Sequence, residues 1–266
     1  MAAGARPAIA AALRTAARRM GFDVQRVDTR NDGFPLDASA EDRRILAQIA
    51  PFTMTSQARQ LSLIQATRHI VRSGLQGCVV ECGVWRGGSA MAVALTLMQE
   101  CAGTRDLVLF DTFDGMTQPA EIDRRGDGTP AAALLQADAA RQSEVWAVAD
   151  LDDVQHNLRT TGYPAQHLHY VKGDVQATLP SQAPTGPIAL LRLDTDWYAS
   201  TRHELLHLYP LLVQGGMLII DDYGDWQGAR RAVDEFVAGL PGRPYLHRID
   251  DTGRLLVKDA GPPTPG

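Results

Sequence analysis

The 266-residue sequence predicts an α/β protein: a doubly wound, mostly parallel sheet with an N-terminal helical cap and an antiparallel C-terminal hairpin. Three observations predict it. Short apolar runs recur without the alternation of a half-exposed strand, as strands buried on both faces require. Stretches of helical spacing separate them, so strand and helix alternate. Several runs also carry acid at their ends. CVVEC (78–82) holds Glu81, and DLVLFD (106–111) closes on Asp111. IALLRL (188–193) runs into Asp194 and Asp196, and MLII (217–220) into Asp221 and Asp222. Right-handed crossovers bring such ends to one sheet edge, where open α/β sheets bind ligands.

In chain order, residues 2–21 are basic and acid-free. Ile9, Leu13, Ala17 and Met20 are spaced for an amphipathic helix docked on the domain, preferred here over a cleaved transit peptide. Residues 24–40 read as a loop, 40–50 as a short helix with Ser39 as N-cap, and PFTMTS (51–56) as a break before helical spacing resumes over 56–73. Without strand–helix alternation, residues 1–76 form a cap or lid. Residues 77–260 form the ligand-binding domain, and GPPTPG (261–266) is a disordered tail. Within the domain, GVWRGGS (83–89) is a turn and 90–99 a helix. The Gly- and Pro-containing stretch 117–130 is a mobile loop, and 131–150 and 152–162 are helices. HLHYVKG (167–173) is a strand followed by Asp174. Residues 200–213 form a helix closed by Gly215 and Gly216, 228–238 form another, and 245–249 pairs with 254–258.

Twenty-six basic against 31 acidic residues give a net charge of −5, which argues against nonspecific nucleic-acid binding. No apolar run reaches the ~18–20 residues of a membrane span. Cys78, Cys82 and Cys101 lack metal-ligand spacing and suit a reducing cytoplasm.

Gly83, Gly87 and Gly88 let backbone approach a ligand closely, and the helix N-terminus beyond Ser89 favours a carboxylate or phosphate. The spacing is not G-x-G-x-x-G, so the turn alone says little. Glu81 adds to it, because a carboxylate there repels a pyrophosphate and attracts an ammonium group. Asp111 ends the next strand, where a carboxylate accepts ribose hydroxyl hydrogens. An amino acid at one end and a ribose at the other describe S-adenosylmethionine better than a nicotinamide dinucleotide. Asp174 is placed to accept from the adenine amino group. The structural alternatives are a Glu81–Arg86 salt bridge and a loop cap by Asp111. Phe113 packs either on the adenosine or on the sheet edge.

Asp194, Asp221 and Asp222 make a second constellation. Carboxylates at adjacent strand ends repel one another without a cation, and an oxygen-only set suits magnesium. A divalent ion eases deprotonation of a bound hydroxyl, the requirement for methylating an alcohol. The alternative has Asp221 and Asp222 capping the next turn and Asp194 pairing with Arg192 or Arg202. Asp196 is a fourth ligand, a base or a helix cap. His203 and His207 have metal-ligand spacing but sit on a leucine-rich crossover helix, so no zinc is assigned. No G-x-S-x-G elbow supports nucleophilic hydrolysis.

The motifs PFTMTS, VVECGVWRGGSAM, LFDTFDGM, HYVKGDV, LLRLDTDWYASTRHEL and LIIDDYGDWQGARRAVDEF, spanning 51–236, resemble the macrocin O-methyltransferase family of metal-dependent sugar O-methyltransferases. The resemblance implies a Rossmann-like class I methyltransferase fold, S-adenosyl-L-methionine, Mg2+ and a homodimer. It maps the metal onto Asp194, Asp221 and Asp222, with Asp194 also the general base. It maps cofactor contacts onto Thr53, Met54, Glu81, Gly83, Ser89, Asp111, Asp174 and Val175. Residues 28–49, the substrate lid, match least. The expected activity is methylation of a sugar hydroxyl on a glycosylated natural product or saccharide, with neither nucleic acid nor membrane as partner. A catechol-type phenolic acceptor, a nicotinamide-dependent dehydrogenase and a non-catalytic subunit of the same fold are the rivals.

Overall fold

A computed structural model describes residues 33–242 and 244–259. The chain divides into two compact units, 1–37 and 38–266, and the sheet with its flanking helices belongs to the second. The expected helix at 2–21 and tail at 261–266 lie outside the described residues.

Helix α1 (Ala40–Ile49) starts at Ser39, whose hydroxyl accepts from Asp42 N while Asp42 accepts from Ser39 N, a reciprocal capping box. Helix α2 (Gln57–Arg72) starts at Ser56, whose hydroxyl accepts from Arg59 N. Both pack on α3 (Gly88–Gln99), which follows strand β1 (Cys78–Cys82). Strands β2 (Leu107–Asp111), β3 (Leu168–Lys172), β4 (Ile188–Leu193) and β5 (Leu212–Ile220) complete a parallel set, and β6 (His247–Arg248) and β7 (Arg254–Val257) add the expected antiparallel hairpin. The sheet order is β3-β2-β1-β4-β5-β7-β6. Strands advance from β1 toward β3 in one direction and from β4 toward β5 in the other. Right-handed crossovers therefore place their helices on opposite faces. The strand order reverses between β1 and β4, so ligands are expected above that junction. All six residues of β4 are buried, the mark of a central strand covered on both faces.

Two expected helices are shorter than their sequence patterns. The crossover helix α7 (Tyr198–Leu208) yields at Pro210 to a 3-10 turn, although the leucine spacing runs on. Gly215 and Gly216 are not its cap but lie inside β5, where Leu212 and Met217 face Ile188 and Leu190. Four residues there, 213–216, lie opposite the single Ala189 of β4. Gly215 adopts φ +77°, and a Cβ on Gly216 would meet Val213 O at 2.8 Å, so glycine permits the bulge. The Ala-rich 131–150 stretch keeps α4 (Ala131–Ala137) and a 3-10 turn at Glu144–Trp146, because the Asp138 carboxylate accepts from Gln142 N and Ser143 N and turns the chain away. Helix α5 (Leu151–Arg159) follows, capped by Asp150, then the short α6 (Val175–Thr178) after β3. The 117–130 stretch is irregular but anchored: buried Asp123 accepts from Ala120 N and Tyr198 N, each at 2.8 Å. Trp197 and Trp226 meet edge-to-face beneath it, at the start of α8 (Gln227–Ala238). No described helix is long and apolar enough to cross a membrane.

Candidate functional site

Four residues of the ligand edge sit one step past a strand end, each held by the neighbouring strand. Gly83 N donates to Phe110 O, Asp194 N to Cys82 O, Asp221 N to Leu193 O and Gly173 N to Asp111 O, all at 2.8–2.9 Å. The ladder thus continues into the loops and fixes where the acids emerge. At the reversal point Gly83 has φ +81°, and a Cβ there would lie 1.9 Å from Asp194 O. Only glycine lets the two turns touch.

Asp111 organises the glycine turn. Its Oδ2 accepts from Val84 N at 2.6 Å and Trp85 N at 3.1 Å, and its Oδ1 accepts from Phe113 N at 2.7 Å. The structural alternative of a loop cap is therefore realised, and the same carboxylate still lines a cavity. Thr112 Oγ1 gives its one proton to Gly115 O at 2.6 Å, so Asp111 retains a lone pair for a ligand hydroxyl. That first cavity is also walled by Gly83, Asp174, Val175 and Phe110. Phe113 is buried and packs edge-on against Tyr170, so it belongs to the sheet edge.

A second cavity, of about 640 Å³, is walled by Thr53, Ser89, Asp221, Asp222, Trp226 and Arg125, among others. Met54, Trp85, Asp194 and Asp196 line both cavities. Glu81 lines neither. It is 3% exposed and accepts from Arg192 Nη1 at 2.7 Å, whereas Arg86, its sequence-based alternative partner, pairs with Asp153.

Carboxylate oxygens of Asp194, Asp221 and Asp222 lie within 4.8 Å of one another. Burial pushes Asp194 up to about 6 against the pull of Arg192, and Asp196 up to about 7. Asp222 is driven well above the carboxylate range by burial and by Asp196, Asp194 and Asp221. Arg192 Nη2 answers part of this charge, 2.8 Å from Asp194 Oδ2 and 2.9 Å from Asp221 Oδ1. The Asp194–Arg192 pairing weighed from sequence is thus present alongside the acid cluster. Asp221 Oδ1 is buried without an aligned hydrogen bond. Oxygen-only donors, mutually close and incompletely satisfied, fit a hard divalent cation. Asp196, at φ +66°, donates its backbone N–H to Asp222 Oδ2 at 3.2 Å and so braces the cluster. The His203 and His207 rings lie 4.1 Å apart, tilted at 42°, and their ring nitrogens meet Leu179 O and His203 O.

Sequence reasoning did not find Gln60 or Arg59. Buried Gln60 donates through Nε2 to Thr53 Oγ1 at 3.0 Å and Ser89 Oγ at 2.8 Å, joining two of the expected cofactor contacts. Arg59 ties Asp221 to Asp250 on the β6–β7 turn. Both lie on α2, more than 25 residues from most of what they hold, and no local spacing marks them. A further buried acid, Glu204 on α7, accepts from Thr195 Oγ1 at 3.1 Å, and burial raises it to about 8. A raised folded-state pKa stabilises fully below the unfolded value near 4.5 and is lost as pH rises through about 8. Between pH 5 and pH 9, wild type should therefore lose on the order of 2–4 kcal/mol relative to Glu204→Gln, read from denaturation midpoints. Equal pH dependence of the two proteins would refute a buried neutral carboxyl.

A family model described as Macrocin-O-methyltransferase (TylF) matches residues 13–257. Demethyldecarbamoylnovobiocin O-methyltransferase of Streptomyces niveus is 30% identical over 228 residues, 86% of this chain and 79% of that protein. Mycinamicin III 3''-O-methyltransferase of Micromonospora griseorubida is 32% identical over 184 residues, 69% of each. Among solved structures, the O-methyltransferase NovP superposes with TM-score 0.67 at 29% identity, over 78% of this chain and 82% of that one. The calicheamicin methyltransferase CalS11 shares the fold, with TM-score 0.62 at 20% identity over 89% and 98%. Strand order, the acid-rich sheet edge and a match over most of the length agree: this chain belongs to the macrocin-O-methyltransferase family and is an O-methyltransferase.

Proposed function

We propose that the enzyme methylates a sugar hydroxyl of a glycosylated natural product or saccharide, using S-adenosylmethionine and magnesium. The observation that carries this is the shared wall: Asp194 faces a cavity suited to the donor and another suited to the acceptor. On the donor side, Asp111 takes the ribose hydroxyls, Asp174 the adenine amino group, and Val175 packs the ring. Gly83 admits the chain of the cofactor. Thr53 and Ser89 line the second cavity rather than the first. With the N-terminus of α3 they hold the methionine carboxylate where that cavity meets the donor cavity, and Met54 covers the boundary between the two. Glu81 acts from behind this wall through Arg192.

On the acceptor side, Trp85 offers an apolar wall to a sugar ring, Trp226 lines the cavity beneath the Arg125 guanidinium, and Arg125, Gln142 and Ser143 offer polar contacts at the rim. Asp194, Asp221 and Asp222 would hold magnesium, whose chemistry when bound is to ease ionisation of an acceptor hydroxyl. Asp194 takes that proton. Its position on both walls lets it also orient the oxygen toward the methyl group. Helices α1 and α2 act as the cap over this edge, and the dimer implied by the family is part of the same reading, checked by light scattering.

The test is mass spectrometry of acceptors incubated with magnesium and cofactor bearing a deuterated methyl group. Label in the sugar of a glycosylated acceptor is the expected result. Label confined to catechols would overturn the sugar assignment, and undiminished transfer in EDTA would overturn the metal.

A further inference from the structure

Strand β4 reads IALLRL and carries one charge in a fully buried run. Period-two geometry puts Arg192 on the same face as Asp194. The register sets Arg192 beside Glu81 of β1, and Leu193 beside Ile220 of β5, so that Asp194 and Asp221 emerge side by side. The guanidinium, 3% exposed, sits among these three acids. Nη1 donates to Glu81 Oε1 at 2.7 Å. Nη2 lies 2.8 Å from Asp194 Oδ2 and 2.9 Å from Asp221 Oδ1, and donates to Thr55 Oγ1 at 3.1 Å.

A guanidinium keeps its charge when buried, and removing it from water is tolerated only with close counter-charges. Arg192 therefore stabilises the acid cluster when no metal is bound. The same positive charge, touching two of the three candidate ligands, opposes entry of a second cation. Glu81 is its lever. Burial raises the Glu81 carboxyl to about 8, against which the Arg192 guanidinium at 2.7 Å holds it toward the ionised form. Touching neither cavity, it offsets part of the Arg192 charge and fixes the guanidinium against the ladder.

We propose that Arg192, held and partly neutralised by Glu81, is a resident counter-cation that stabilises the metal-free cluster and sets its divalent-cation affinity low. The inference rests on the metal reading under Proposed function. It makes Arg192 and Glu81 positioning residues of opposite sign toward the ion.

The experiment is Mn2+ titration of the full chain, without cofactor or acceptor, following free Mn2+ by electron paramagnetic resonance, alongside thermal unfolding. Arg192→Met should tighten Mn2+ binding about tenfold and lower the metal-free Tm, with added Mn2+ recovering more of the Tm than in wild type. Glu81→Gln, of the same shape, leaves Arg192 less neutralised and should weaken Mn2+ binding several-fold. If Arg192→Met alone does not fold, the Glu81→Gln, Arg192→Met pair removes both charges from the buried site and should fold and bind Mn2+ at least as tightly as wild type. Wild type that binds Mn2+ with Kd unchanged in the variants, or shifted in the same direction by both single substitutions, overturns the counter-cation and leaves the metal site standing. Wild type that takes up no Mn2+ overturns the metal reading and this inference together.

Discussion

Asp194→Asn is expected to lower kcat by on the order of 10³-fold while leaving S-adenosylhomocysteine affinity nearly unchanged. The side chain keeps its shape, and the amide can still meet Arg192 Nη2 through its oxygen, now 2.8 Å from Asp194 Oδ2. What disappears is a charge in the cluster with Asp221 and Asp222 and a base on the wall shared by the two cavities. Asp221→Asn should remove activity in the same way, because Asp221 lines the acceptor cavity alone of the two. Asp111→Asn should do the opposite, losing cofactor first. Its carboxylate accepts the Val84 and Trp85 amides that shape the glycine turn, and an amide nitrogen turned toward them cannot. Isothermal titration beside single-turnover rates separates these outcomes. Loss of S-adenosylhomocysteine binding by Asp194→Asn would mean that the substitution collapses the site rather than its chemistry.

The parts of this site legible in the sequence are those written locally. An acid closing an apolar run marks a strand end at the ligand edge, which is how Asp111, Asp194, Asp221 and Asp222 were found and why the sheet places all four together. Arg192 entered from the sequence only as one of two alternative partners of Asp194, beside Arg202, and its reach to Glu81 was not legible, because that contact lies on the neighbouring strand. Gln60, Arg59 and Asp250 were not legible. Arg59 meets Asp221 and Asp250 across 162 and 191 residues, and only the folded sheet brings them together. The helix boundaries failed for a different reason. Leucine spacing and alanine content report helix tendency, but Pro210 and the Asp138 carboxylate are specific stops whose effect outweighs the summed tendency. Gly215 and Gly216 read as a cap because glycine after leucines is the usual cap signal. A bulge uses the same residue for the same positive-φ freedom.

The other large effect is expected at Gly83, where two separate costs coincide. Its φ of +81° is strained for any side chain, and an added Cβ would sit 1.9 Å from the carbonyl oxygen of Asp194. A flexible side chain could turn away from such a contact, but this oxygen belongs to backbone, and Asp194 N is bonded to Cys82 O on the strand that ends just before Gly83. Relief therefore requires β1 and β4 to part at the point where strand order reverses. Gly83→Ala should cost more than about 3 kcal/mol, a fall in Tm of roughly 6–12 °C for a unit of this size. Two other glycines apportion the cost. Gly162→Ala, at φ +73° with nothing within 4 Å, isolates the backbone strain and should cost about 1–2 kcal/mol. Gly186→Ala, with neither positive φ nor a neighbour within 4 Å, should change stability by less than about 0.5 kcal/mol. Because the peptide pushed aside is that of Asp194, Gly83→Ala should weaken S-adenosylhomocysteine and Mn2+ binding together, whereas Gly162→Ala should weaken neither. If Gly83→Ala proved no more damaging than Gly162→Ala, the close approach of the two turns would not be a requirement of the site.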